Sequence, residues 1–292
     1  MSRKGIILRT GVNIAFYSCV AAVAWLLVQV FVFASFVVPT GSMSPSILPG
    51  DYVLVDKLTF GARLFNILPA LRLEQVAIHR APGLRAVRRG DVVVFNNPYP
   101  NNGERMEMHI LRYLVKRCTG LPGDSLLIED GRYRVKGADG QLWTWHGEHI
   151  AHLRDSLRDM FFEPALNYFP NDSIIGWDAL RFGPLYIPRR GDVIPMNRDS
   201  YVLYKKLIER ETKGELTFRD STVYLDNSPI RTYIFESDYY FMSGDNADDS
   251  LDSRYWGLTP GDYIVGKAWV VWKSTDSYTG KFRAERWLKR IS

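Results

Sequence analysis

Residues 12–38 run without a single charge, and this stretch sets what the chain can fold into. About 20 apolar residues cross a bilayer as a helix, so a run of 27 can span it with some tilt. Asn13, Ser18, Gln29 and Ser35 are its clearly polar members. A cleavable export signal is the competing reading. Its apolar core would be about 7–15 residues long and would end at an A-x-A-like site. This run is longer and ends in Phe36-Val37-Val38-Pro39. An uncleaved single-pass anchor is therefore expected over 12–38, with the lipid bilayer as its partner. Arg3, Lys4 and Arg9 precede it, and positive flanks stay on the cytoplasmic side. Residues 1–11 are thus expected in the cytoplasm and everything beyond 38 outside it.

The exported part has the residues of a β protein. Sixteen Tyr, fifteen Phe and eight Trp accompany many Val and Ile. The net charge of +5 is modest and its Lys and Arg are scattered, so no nucleic-acid partner is expected. Cys19 lies in the apolar run and Cys118 far downstream, so no disulfide is expected between them. Three turns share one pattern: Leu48-Pro49-Gly50-Asp51, Leu121-Pro122-Gly123-Asp124 and Thr259-Pro260-Gly261-Asp262. Pro presets the first φ of a type II turn and Gly supplies the positive second one. Arg88-Arg89-Gly90-Asp91 and Arg189-Arg190-Gly191-Asp192 echo them, and each of the five leads into a short apolar run that reads as a strand.

The expected organisation is a β body in two parts, 39–130 and 221–292, interrupted by an inserted subdomain over 131–220. A helix is expected in the insertion at Tyr201-Val202-Leu203-Tyr204-Lys205-Lys206-Leu207-Ile208-Glu209-Arg210. The tail, Lys281-Phe282-Arg283-Ala284-Glu285-Arg286-Trp287-Leu288-Lys289-Arg290, has the pattern of a short basic amphipathic helix, packed on the domain or laid on the membrane surface.

Just past the anchor stands Pro39-Thr40-Gly41-Ser42-Met43. A serine hydroxyl is a weak nucleophile until a base takes its proton. Neither G-x-S-x-G nor S-x-x-K surrounds Ser42, and none of the five histidines sits in a triad setting. The remaining base is a lysine kept neutral by burial. On a strand over Tyr113-Leu114-Val115-Lys116-Arg117-Cys118, Lys116 shares a face with Leu114, and Val115 with Arg117. Most strand lysines are solvated, and the alternation does not choose between the two readings. A third polar stretch, Gly244-Asp245-Asn246-Ala247-Asp248-Asp249-Ser250-Leu251-Asp252-Ser253-Arg254, reads as an ordered network or an acidic loop, and lacks the order of an EF-hand.

These stretches, with Arg89-Gly90-Asp91-Val92-Val93-Val94-Phe95 and Lys116 through Asp124, together resemble the sequence blocks of bacterial type I signal peptidases. They occur in that family's order behind an anchor and cover most of the β body, but not 131–220. The resemblance implies a mainly β, antiparallel catalytic domain of signal-peptidase type, with an inserted subdomain, behind a single transmembrane helix. It implies a membrane-bound serine endopeptidase of the bacterial inner membrane that removes signal peptides from exported preproteins after small residues, without metal or organic cofactor. By the same resemblance Ser42 is the nucleophile and Lys116 the general base. Ser250 orients the lysine, and Thr40 joins the Ser42 N–H in the oxyanion hole. Asp252 and Arg254 form an ion pair behind the site and Gly244 packs beside it. Val38, Ile47, Leu114 and Val115 line the substrate pockets. Two positions depart from the pattern: Ala247 stands where many members have Arg, and Asp249 where many have Asn.

Self-cleaving repressors share such Ser-Lys chemistry but carry a DNA-binding domain where this chain has an apolar run. A non-catalytic tethered β protein would need neither Ser42 nor Lys116. His146, His149 and His152, with Glu148, have spacing that suits one helix face, yet lack H-E-x-x-H order and are expected in a solvated loop, with no metal.

Overall fold

The computed structural model describes residues 3–66, 69, 72, 76–99, 105–145, 168–178 and 180–292. A helix, α1 (Arg3–Phe31), is followed by strands β1 (Phe33–Val38), β2 (Asp51–Asp56), β3 (Arg63–Leu64), β4 (His79–Arg80), β5 (Val92–Asn96) and β6 (Tyr113–Gly120). Then come β7 (Ser125–Glu129), β8 (Arg132–Lys136), β9 (Leu142–Trp145), β10 (Arg181–Tyr186), β11 (Val193–Pro195) and helix α2 (Arg198–Thr212). The chain continues through β12 (Leu216–Arg219), β13 (Thr222–Leu225), β14 (Ser228–Ile230), β15 (Thr232–Ile234) and β16 (Tyr239–Ser243). Helix α3 (Ser253–Trp256), β17 (Thr259–Pro260), β18 (Ile264–Ser274) and β19 (Lys289–Arg290) complete it.

The uncharged run is two elements rather than one. Its helix stops at Phe31, and Phe33–Val38 pairs antiparallel with β2 along its full length. The β-branched and aromatic residues at its end suit a pleated surface, and β2 supplies the ladder that a helix would have made internally. Within α1, Arg9–Phe31 is long and apolar enough to cross a membrane, and it has no protein packed around it. Lys57 closes the joint, its Nζ donating to the carbonyls of Gln29 (2.7 Å) and Val30 (3.0 Å) at the helix end.

The main sheet is antiparallel, in the order β1-β2-β18-β5-β6-β16-β17, with β19 on β18. β18 is its keystone: Ile264, Gly266 and Lys267 pair with β5, and the strand from Lys267 to Ser274 pairs with β2. Val38, Met43, Ile47, Val53, Val55, Val92, Val94 and Val271 pack on one face, and Phe60, Val93, Phe95, Cys118 and Met242 on the other. Alternation along β5 sends Val92 and Val94 one way and Val93 and Phe95 the other, as a strand buried on both faces requires.

A second sheet, β10-β7-β8-β9, packs with α2 around Leu126, Ile128, Tyr133, Phe182, Leu207 and Phe235. Ser125–Glu129, before the 131–220 stretch expected as an insertion, pairs with β8 and β10 rather than with the main sheet. The helix expected at 201–210 is present as the longer α2, opened by a capping box between Asn197 and Ser200.

Four of the five Gly-Asp turns are built alike. Gly50, Gly90, Gly123 and Gly191 all have φ between 86° and 89°, where glycine alone is unstrained. The aspartate after each takes the N–H three residues back: Asp51 from Leu48, Asp91 from Arg88, Asp124 from Leu121 and Asp192 from Arg189. The fifth differs. Gly261 opens a 3₁₀ turn without a positive φ, and the Asp262 carboxylate turns to Arg210 instead. The tail also differs from the expected helix, forming a 3₁₀ turn over Ala284–Arg286 and then β19. Arg286 is drawn into a buried ion pair with Asp51, and Lys289 and Arg290 pair with Val271 and Val270, which a continuous helix would forbid.

Candidate active site

Ser42 lies in the turns between β1 and β2. Ile47 N–H donates to Met43 O (2.9 Å), Ser44 N–H to Gly41 O (2.9 Å) and Gly50 N–H to Val38 O (2.8 Å). Met43 and Ile47 are fully buried, so the turns that carry Ser42 are pinned from below. The loop after β16 holds them from the side: Asn246 donates its backbone N–H to Ser42 O (3.1 Å) and its Nδ2 to Gly41 O (3.2 Å).

Lys116 sits on β6 opposite Val93, and its Nζ donates to Ser42 Oγ at 2.5 Å. Lys116 is 3% exposed and Ser42 8%. Burial pushes the Lys116 amine down from 10.5 to about 8, and nearby Arg254 pushes the same way, while Asp252, Asp249 and Asp245 oppose the shift. An amine with that pKa is partly neutral near physiological pH, and only a neutral amine can accept a proton.

Behind the pair lies a buried ionic cluster. Arg254 donates to both oxygens of Asp252 at 2.8 Å and to the carbonyls of Ala247 (2.9 Å) and Ser250 (3.2 Å). Gly244 N–H donates to Asp252 Oδ2 at 3.0 Å. Burial alone would raise the Asp252 carboxyl, but the Arg254 guanidinium and the Gly244 N–H outweigh it and hold the pKa low. A side chain at Gly244 has no room, since its Cβ would stand 2.2 Å from Ser250 Oγ and 2.5 Å from Ser42 O.

Ser42, Lys116, Gly244, Ser250, Asp252 and Arg254 are thus brought together from three distant segments. Ser250 differs in detail from its expected orienting role. Its Oγ is buried and has no hydrogen-bond partner among the described residues, and the lysine amine is directed to Ser42 instead. Thr40 is exposed, two residues before Ser42. Val38, Ile47 and Val115 pack in one cluster, whereas Leu114 packs with Val93, Phe95 and Cys118 on the opposite face of the sheet. His146, Glu148, His149 and His152 lie outside the described residues, and among the described residues no group of three or more His, Cys, Asp or Glu side chains is arranged for a metal.

One pair was missed in the sequence. Arg117 clasps Asp245 with Nε (2.7 Å) and Nη2 (2.6 Å) and reaches Gly90 O (2.7 Å) and Ser292 O (3.0 Å) with Nη1. It ties β6 to the loop that cradles Ser42. Each member stands beside a residue already singled out, Lys116 or Gly244, and that adjacency was the available signal.

A serine hydroxyl in contact with a buried, largely desolvated amine, held by an antiparallel sheet, is the arrangement of a serine hydrolase. The family model described as signal peptidase, peptidase S26, matches residues 11–273. A signal peptidase I of Buchnera aphidicola is 30% identical over 271 residues, covering 91% of this chain and 76% of its own. One from Pseudomonas aeruginosa is 29% identical over 259 residues, covering 85% and 68%. A solved signal peptidase I from Enterococcus faecalis V583 is 16% identical and covers 63% of this chain and 98% of its own, at a TM-score of 0.28. The chain belongs to the signal peptidase family, peptidase S26, and is a serine endopeptidase that cleaves signal peptides.

Proposed function

We propose that this chain is a membrane-anchored signal peptidase in which Ser42 is the nucleophile and Lys116 the general base. The observation that carries the reading is the contact between Lys116 Nζ and Ser42 Oγ in a buried setting that lowers the lysine pKa. Neutral Lys116 takes the Ser42 proton as Oγ attacks the scissile carbonyl. The Ser42 N–H and the Thr40 hydroxyl face the oxyanion, a contribution of about 3–4 kcal/mol per well-placed donor. The tetrahedral intermediate collapses, the C–N bond breaks, and protonated Lys116 gives its proton to the leaving amine. Lys116 then takes a proton from water as its oxygen attacks the acyl-Ser42 ester; the C–Oγ bond breaks, protonated Lys116 returns the proton to Ser42 Oγ, and the signal peptide leaves with a carboxyl group that ionises in solvent. By the family resemblance Val38, Ile47 and Val115, which pack in one apolar cluster with Met43, the residue after Ser42, line shallow pockets for the small side chains of an A-x-A-like site.

The anchoring is argued from α1, whose apolar side chains have no protein cover, and from the aromatic residues around β1. Phe33 stacks on Trp269 at 5.9 Å, Trp272 donates to Ser35 Oγ, and Val37, Phe282 and Trp287 are more than half exposed. Aromatic side chains with one polar edge favour the membrane–water interface, which supports this flank of the sheet as its contact with lipid. Arg3, Lys4 and Arg9 assign the N-terminus to the cytoplasm and the sheets to the far side of the bacterial inner membrane.

The test is cleavage of one precursor by the purified chain in detergent or vesicles. Ser42→Ala and Lys116→Met are each expected to cut the rate at least about a thousandfold. Activity should rise with pH through about 8 as Lys116 loses its proton. Near-wild-type cleavage by either variant, or a flat rate from acid to alkaline pH, would overturn the assignment. In right-side-out vesicles, protease added outside should remove the sheets and leave α1 protected.

A further inference from the structure

Charge around the dyad is almost fully matched. Asp245 is held by Arg117 and Asp252 by Arg254, both pairs buried. Asp248 is half-buried with one oxygen turned inward. Asp249 is different. It ends the short 3₁₀ turn that follows Asn246, its side chain is exposed, and among the described residues no cation lies within ion-pair distance of it. Its carboxylate nonetheless overhangs the nucleophile's own segment. A methyl group placed on Gly41 would stand only 3.3 Å from Asp249 Oδ2, and the residue after Gly41 is Ser42. Among the described residues this carboxylate is therefore an unpaired charge, exposed beside the residue that precedes Ser42.

Resting on the assignment of Ser42 and Lys116 above, we propose that Asp249 is a specificity-determining residue that selects substrates by the charge of the first residues after the cut. On the pocket assignment made above, the residues before the cut go to Val38, Ile47 and Val115, an apolar cluster that suits no charge. On that assignment the first residues of the released chain are the part of the substrate left free to vary in charge, and Asp249 is an exposed carboxylate over the segment that carries Ser42. At about 3.4 Å per extended residue, the second of them stands about 7 Å from the scissile bond, a span shorter than the Debye length of about 8 Å at physiological salt. A cation there is drawn in and an anion repelled as the scissile carbonyl settles on Ser42 Oγ.

The same charge acts on the base. Among the described residues, the groups facing Lys116 are Ser42, Asp245, Asp249, Asp252 and Arg254, and Asp249 is the carboxylate of these without an arginine ion pair. Asp249 raises the Lys116 pKa, so replacing it by a neutral amide favours the deprotonated lysine at lower pH.

Two precursor peptides differing only in Lys or Glu at the second position after the cut test the proposal. The full-length chain in detergent at low salt should prefer the Lys peptide by about fivefold in kcat/KM, falling toward unity in 1 M NaCl. Asp249→Asn should abolish the preference and move the acid limb of the pH profile to lower pH. Asp249→Glu should restore both, and Asp248→Asn should leave the preference in place. Equal cleavage of the two peptides by the wild type, or a preference that survives Asp249→Asn, overturns the proposal. So does a preference that Asp248→Asn removes equally. A Ser42→Ala variant that still cuts would instead overturn the assignment on which it rests.

Discussion

At the scale of single residues, reactivity and stability oppose each other at Lys116. One unit of pKa is worth about 1.4 kcal/mol, so holding this amine near 8 instead of 10.5 costs the folded chain on the order of 3 kcal/mol. The sign follows from the lowered pKa. The cost is complete below pH 8, where both states are charged, shrinks as pH rises from 8 to 10.5, and is absent above. Lys116→Met, which kills the proposed chemistry, should therefore stabilise the chain at pH 7 by about 2 kcal/mol after the lost bond to Ser42 is counted. Urea unfolding in detergent checks this, and the gain should vanish near pH 10.5. Such a trade was only half legible in the sequence. Lys116 and Ser42 stand in blocks specific enough to name, but what lowers the pKa is burial, and burial is a property of neighbours far away in sequence. The Arg117–Asp245 clasp was hidden for the same reason, since 128 positions separate its members. The idle Ser250 hydroxyl was out of reach too, because a resemblance transfers a role and not a torsion angle.

At the scale of elements, local chemistry was readable wherever the chain's own near neighbours decide the outcome. The Gly-Asp turns are of that kind, since glycine supplies the φ and the aspartate answers a donor three residues back. The fifth turn was not readable, because Arg210 on α2 competes for its aspartate. The tail went from an expected helix to a strand for a similar reason, with Asp51 and β18 overriding its 3.6-residue period. The loop behind the dyad is another product of distant packing. Phe169 donates its N–H to Arg254 O at 2.8 Å, and Tyr168 stacks on Tyr255 at 4.7 Å. Gly257, at φ 83°, leaves no space for more: a Cβ there would meet the Phe169 ring at 2.7 Å. Gly257→Ala should thus cost about 3 kcal/mol, from backbone strain and a displaced ring together. Urea unfolding measures the loss, and Trp177, which contacts the same ring, should report the displacement in its fluorescence.

At the scale of the whole molecule, the mainly β architecture was legible from composition and turn spacing, but strand order was not, because pairing partners are chosen across the chain. The consequence reaches back to how the protein is made. β1 pairs with β2, and β5 with β6, as two hairpins close in sequence, one bearing Ser42 in its connection and the other bearing Lys116. β18 is what joins them in the main sheet, and it is translated after both. A ribosome stalled before Ile264 should therefore hold a chain that lacks the strand between β2 and β5, open to added protease and inactive on a precursor; full activity from such a chain would contradict this order of assembly. Placing the joining strand after both hairpins leaves Ser42 and Lys116 on separate parts of the sheet until β18 has been made, so a half-made peptidase has no blade.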